Sequence, residues 1–107
     1  LLASSAASDV YKRQVNYYVA KNLENNSFFS YKKNHLILND KFFEQPHEII
    51  FRSLSDSLNF MSKKYYSVRG KKIDKIIKDI QKSSFSKSTL GSCLIKKVNQ
   101  TVIISKE

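Results

Sequence analysis

The sequence predicts an α+β fold of two to three helices followed by a C-terminal β-hairpin, and three observations carry that expectation. Ile50, Leu54, Leu58 and Met61 recur at i, i+4, i+8 and i+11 behind Pro46, the apolar stripe of a helix. Ile73, Ile76, Ile77 and Ile80 follow i, i+3, i+4, i+7, so at about 3.6 residues per turn they form one narrow face. Residues 89–97 and 101–106 read as two strands around Asn99-Gln100, the pattern of a hairpin.

Composition limits what such a fold can do. The chain has 107 residues, 41% of them hydrophobic, and carries 19 Lys+Arg against 9 Asp+Glu, a formal net charge of +10. That length supports one small core. The two glycines, Gly70 and Gly91, are far apart, which excludes the glycine-rich phosphate loops of the Walker and dinucleotide types. A single cysteine, Cys93, excludes an internal disulfide and a thiolate-rich zinc site. Of the other soft ligands, His35 and His47, neither is spaced to chelate with the other or with Cys93, so no metal is expected. No apolar run approaches the roughly 18 residues of a membrane-spanning helix, and the expected compartment is the cytoplasm.

Residues 1–14 are expected to be an artefactual or disordered tail. Ser4 to Gln14, SSAASDVYKRQ, resembles the in-frame translation of a transposase-type sequencing-library adapter at all eleven positions, which places the natural sequence from Val15 onward. A secretory signal is not expected, because a basic start and an apolar run of about 7 to 15 residues are both missing. Residues 15–26 read as the end of a helix stopping at Asn25-Asn26. Residues 28–31 and 36–38 are short β-prone runs flanking Lys33-Asn34, a weak hairpin or an extended crossing segment.

Pro46 suits a first helical turn, where its missing N–H is not needed. Ser67 is expected to cap a helix from about 69 to 81, with Asp74 and Lys78 as an i, i+4 pair. The serine-rich stretch 83–88 reads as a loop, and the strands after it set Ile95 opposite Ile104. The organisation is therefore a mainly helical region over 15–82, a loop over 83–88 and a β-hairpin over 89–107.

The candidate chemistry is electrostatic. Lys63, Lys64, Arg69, Lys71, Lys72, Lys75, Lys78 and Lys82 form a basic cluster opposed only by Asp74 and Asp79. If the isoleucines pack inward, Lys71, Lys75, Lys78 and Lys82, at i, i+4, i+7 and i+11, form a single outward line. Such a line attracts phosphates by counterion release, and Tyr65 and Tyr66 within the cluster can stack on unpaired bases. The alternative is a solvated helix face in a lysine-rich chain. Arg52 is expected either to pair with Asp56 at the surface or to reach a phosphate. Glu44 and Glu48 read as helix-start carboxylates, and Cys93 as a small buried hydrophobe.

Four segments in order carry a family resemblance: EIIFRSL (Glu48 to Leu54), VRGKKIDKIIKDI (Val68 to Ile80), STLGSCLI (Ser88 to Ile95) and VIISKE (Val102 to Glu107). Residues 15–107 resemble the part of tRNA(Ile)-lysidine synthase that follows its catalytic domain. Arg52 with Leu54, Arg69, Thr89-Leu90-Gly91-Ser92-Cys93 and Lys106-Glu107 fill the positions of the family pattern. Ser92 stands where a second glycine is usual, which bears on any turn needing positive φ there, and Lys106 stands where arginine is common. The resemblance implies a fragment of a larger multidomain enzyme, a ligase. With ATP, that enzyme activates the wobble cytidine of a minor isoleucine tRNA at C2, and lysine then displaces AMP. The family's PP-loop, Ser-Gly-Gly-x-Asp-Ser, is absent from this chain, so no catalytic residue is carried over. ATP and magnesium are implied for the parent enzyme alone, and the PP-loop domain is the expected partner in cis. The basic helix is expected to contact tRNA. A free-standing basic nucleic-acid-binding module and a purely structural docking segment remain as alternatives.

Overall fold

The computed structural model describes residues 2–63 and 70–107. Three helices lie on one side of a five-stranded antiparallel sheet, so the expected α+β class holds. The expected Ser67 cap, the Tyr65-Tyr66 pair and the candidates Lys64 and Arg69 lie outside the described residues.

Helix α1 spans Leu2–Asn26. It therefore runs through the segment expected to be artefactual or disordered. Residues 8–14 are exposed, and Val15, Val19, Asn22 and Asn26 make an inward stripe at i, i+4, i+7 and i+11. Val15 and Val19 pack on Ile49. Asn22 is buried, and its Nδ2 donates to Ser53 Oγ at 3.1 Å and to the Phe42 carbonyl at 3.4 Å. Its Oδ1 accepts from Asn26 Nδ2 at 2.9 Å. Interior amides of this kind cost stability unless paired; here the pairing ties α1 to two other elements.

Strands β1 (Ser27–Ser30) and β2 (His35–Leu38) form a hairpin, closed by Asn34 in the left-handed region at φ 55°, where asparagine is tolerated. The β-prone runs expected there are thus real strands. The reason is long-range: β2 pairs with the C-terminal strand β5 (Thr101–Lys106) in addition to β1. A 3-10 turn, Asp40–Glu44, follows, with Asn39 Oδ1 accepting from the Phe42 amide at 3.1 Å. It inserts Phe42 into the core with no exposed surface.

Helix α2 is His47–Ser62, with Pro46 as its N-cap. Helix α3 is Gly70–Ile80. All four residues of the α2 stripe and all four isoleucines of α3 are buried.

The expected strand over 89–97 is instead two strands, β3 (Lys87–Leu90) and β4 (Cys93–Val98). Gly91 and Ser92 both adopt left-handed conformations, at φ 57° and 65°, and turn the chain between the paired residues Leu90 and Cys93. Two successive positive φ values match the twist of antiparallel strands. The hairpin of β4 with β5 turns at Asn99, φ 58°, and sets Ile95 opposite Ile104 as expected. The sheet order is β1-β2-β5-β4-β3. Leu36, Ile104 and Ile95 form one buried row across it, directly opposite one another.

Lys63 ends α2 in a left-handed conformation, φ 57°, with its amide bonded to the Asn59 carbonyl. That position favours glycine, since a Cβ is strained there. Lys63→Gly relieves about 1–2 kcal/mol of left-handed strain against about 0.5–1 kcal/mol of added chain entropy, so it is expected to stabilise the chain modestly, measurable as a higher midpoint in urea unfolding. An unchanged or lower midpoint would show that the lysine stem contributes packing that outweighs the strain.

Candidate nucleic-acid interface

Helix α3 is built from two residue types with opposite fates. Ile73, Ile76, Ile77 and Ile80 are 1–4% exposed, which fixes the helix's rotation about its axis. The remaining arc must then face outward, and Lys71, Lys72, Lys75 and Lys78 are exposed, as is Lys82 just beyond the helix.

The two acidic residues of this segment are occupied. Asp74 Oδ1 accepts from His47 Nε2 at 2.8 Å, pinning α3 to the start of α2. Asp74 therefore pairs with His47 rather than with Lys78, because the partner brought by tertiary packing is closer than the one supplied by helical spacing. Asp79 Oδ1 accepts from Lys82 Nζ at 3.5 Å. Among the described residues no carboxylate pairs with Lys71, Lys72, Lys75 or Lys78. Their charges are free to meet a phosphate.

The end of α3 is held by Lys97, whose Nζ donates to the Ile80 carbonyl at 2.7 Å. A cation on a last-turn carbonyl is favoured by the helix dipole. Beside the helix, Lys72, Lys75 and Asp79 face Ser88 and Thr89 of β3 across a groove of about 160 Å³.

The other sequence candidates are dispersed. Lys63 is exposed at the end of α2. Arg52 lines a different groove, between α1 and α2, of about 510 Å³ with Asn16, Val19 and Asp56. Its Nε donates to Glu48 Oε1 at 3.4 Å, so the surface pair forms with the preceding turn, not with Asp56. The Tyr11 hydroxyl donates to the other oxygen of Glu48, and that bond holds the Tyr11 phenol above its ordinary range.

The sequence reading missed Lys87 and Lys96. They stand directly opposite on β3 and β4, a proximity visible only once the Gly91-Ser92 turn is placed. Cys93 is fully buried, its Sγ 3.7 Å from the Leu58 carbonyl. Among the described residues no three His, Cys, Asp or Glu side chains converge as a metal site, and no helix is long and apolar enough to cross a membrane.

Asp56 is exposed at the surface, but neighbouring groups desolvate its carboxyl enough to push it up, with Arg52 pulling it down more weakly. A carboxyl raised on folding favours the folded state fully below about pH 3.8, and that contribution is lost as pH rises through the folded value. Asp56→Asn is therefore expected to raise the melting temperature slightly at pH 7 and to leave it unchanged at pH 3. A variant that melts lower at pH 7 would show that Asp56 is held by attraction to Arg52 instead.

The fold and the charge pattern together define a basic two-layer α+β protein, helices on one side and open sheet on the other. No family model, curated protein or solved structure matches the chain.

Proposed function

We propose that the chain is a non-catalytic, tRNA-binding part of a tRNA(Ile)-lysidine synthase, with α3 laid along the phosphate backbone. The observation that supports this reading is the row of uncompensated lysines on α3, held outward by the buried isoleucines beneath it. Lysines in that arrangement position a polyanion without reading its sequence. The order of the segments around Arg52, Val68 to Ile80, Thr89 to Cys93 and Lys106-Glu107 supplies the family.

Activation of the tRNA base by ATP and magnesium belongs, in this reading, to a PP-loop domain acting in cis. The residues here do not fit those groups, having neither a glycine-rich loop nor, among the described residues, a converging ligand set. The role left to this chain is to hold the tRNA while another domain reacts.

The test is a titration of the 107-residue chain with a minor isoleucine tRNA transcript at several salt concentrations. The expected result is binding that weakens steeply with salt and depends on Lys71, Lys75 and Lys78. Absence of binding at low salt would overturn the proposal and leave the isoleucine face and its lysines as a structural docking segment.

A further inference from the structure

We infer that the open face of the sheet is a second binding surface, one that takes unpaired, single-stranded nucleic acid. Every strand residue of the buried core points to the helical side: Leu36, Leu38, Cys93, Ile95, Val102 and Ile104. The alternate residues make the other face, and the pairing registers place five of them in one line across all five strands. That line runs Phe28, Ile37, Ile103, Lys96, Lys87. With strands about 4.8 Å apart it spans about 19 Å. It begins at a phenyl ring that is 69% exposed, crosses two half-buried isoleucines and ends on two exposed lysines.

The occupant follows from charge. All nine Asp and Glu residues of the chain lie outside the five strands, so the sheet supplies no carboxylate to offset its lysines. Lys87 and Lys96 are direct cross-strand neighbours, and like charges in that position destabilise a sheet. An anion lying across them removes that repulsion. At the other end of the line, an exposed aromatic ring on a flat apolar floor offers a stacking partner that any base can use. A ligand carrying negative charge and flat apolar rings in alternation is a single-stranded nucleic acid. A duplex does not fit, because its bases are not free to stack on the ring. These residues are distinct from the α3 lysines, so the inference does not rest on the lysidine synthase reading.

The test is fluorescence anisotropy of the 107-residue chain with a labelled oligouridylate of ten nucleotides, with circular dichroism confirming that each variant is folded. Phe28→Ala is expected to weaken binding by about fivefold or more, the loss of one stacked base. The double variant Lys87→Gln, Lys96→Gln is expected to lower the slope of log affinity against log salt by about 1.4, two single-strand phosphate contacts. Unchanged binding in both overturns the inference. Loss in the lysine variant alone also overturns it, leaving a charged edge without a stacking platform. A concentration-dependent dimer that Phe28→Ala abolishes, with RNA binding intact, would assign the face to protein contact instead. Failure of tRNA to bind through α3 would leave the oligouridylate result untouched, so the two readings fail separately.

Discussion

Reversing Lys71, Lys75 and Lys78 to glutamate is expected to weaken tRNA binding by about two orders of magnitude at physiological salt. Each phosphate neutralised on a duplex contributes about 0.9 to the slope of log affinity against log salt. Losing three contacts should flatten that slope by about 2.7, and at about 0.15 M salt a difference of that size corresponds to roughly a hundredfold in affinity. Repulsion from the new carboxylates, which join Asp74 and Asp79 on the same short helix, adds to the loss. The same repulsion acts within the helix, where like charges at i, i+4 cost a few tenths of a kcal/mol per pair. A parallel glutamine variant therefore separates lost attraction from helix destabilisation. It should show the flattened slope with an unchanged melting temperature, because all three lysines are exposed and glutamine is an equally good helix former. A slope that stays as steep as the parent's would remove the stripe from the interface.

How far each feature was legible depends on how local its cause is. The isoleucines of α3 were readable because a period of 3.6 and a single buried face need no knowledge of the rest of the chain. The pairing of Ile95 with Ile104 was readable for the same reason, since the turn at Asn99-Gln100 sets the register of its own hairpin. The Gly91-Ser92 turn was legible only through the family pattern, which has a second glycine at Ser92; the residues alone read as one strand, because serine does not announce a left-handed conformation as glycine or asparagine does, and Ser92 adopts it under the pairing of Leu90 with Cys93. With 89–97 read as one strand, the lysine pair Lys87 and Lys96 was hidden. The pairing of β2 with β5 joins His35 to Ser105, and no local pattern reports a contact so distant in sequence. In α1, Asn22 and Asn26 occupy stripe positions that read as polar surface. They are inside only because Ser53 and the Phe42 carbonyl arrive to receive the Asn22 amide. Asp74 illustrates the same rule at the candidate interface, where a histidine brought by tertiary packing displaced the lysine that helical spacing suggested.

Ile77→Ala is expected to destabilise the chain by about 2–5 kcal/mol, the range for truncating a buried aliphatic residue with a cavity left behind. Ile77 is 2% exposed at the centre of the isoleucine face, so little can move in to fill the space. Helix α3 has eleven residues, short of the roughly 12–15 at which an isolated helix becomes even marginally stable in water; packing on α2 and into the shared core is what holds it. Against a total stability of about 5–15 kcal/mol for a domain, the loss should lower the thermal midpoint by about 10–30 °C. Lys78→Ala, one residue along and exposed, should change the midpoint little, since surface substitutions usually stay within about 0.5 kcal/mol. The pair of variants separates the two jobs of the helix: Ile77 fixes which way it faces, and Lys78 acts on whatever lies in that direction. If Ile77→Ala melted with the parent, α3 would not be anchored by its isoleucines, and the lysines would lose the fixed orientation on which their proposed role depends.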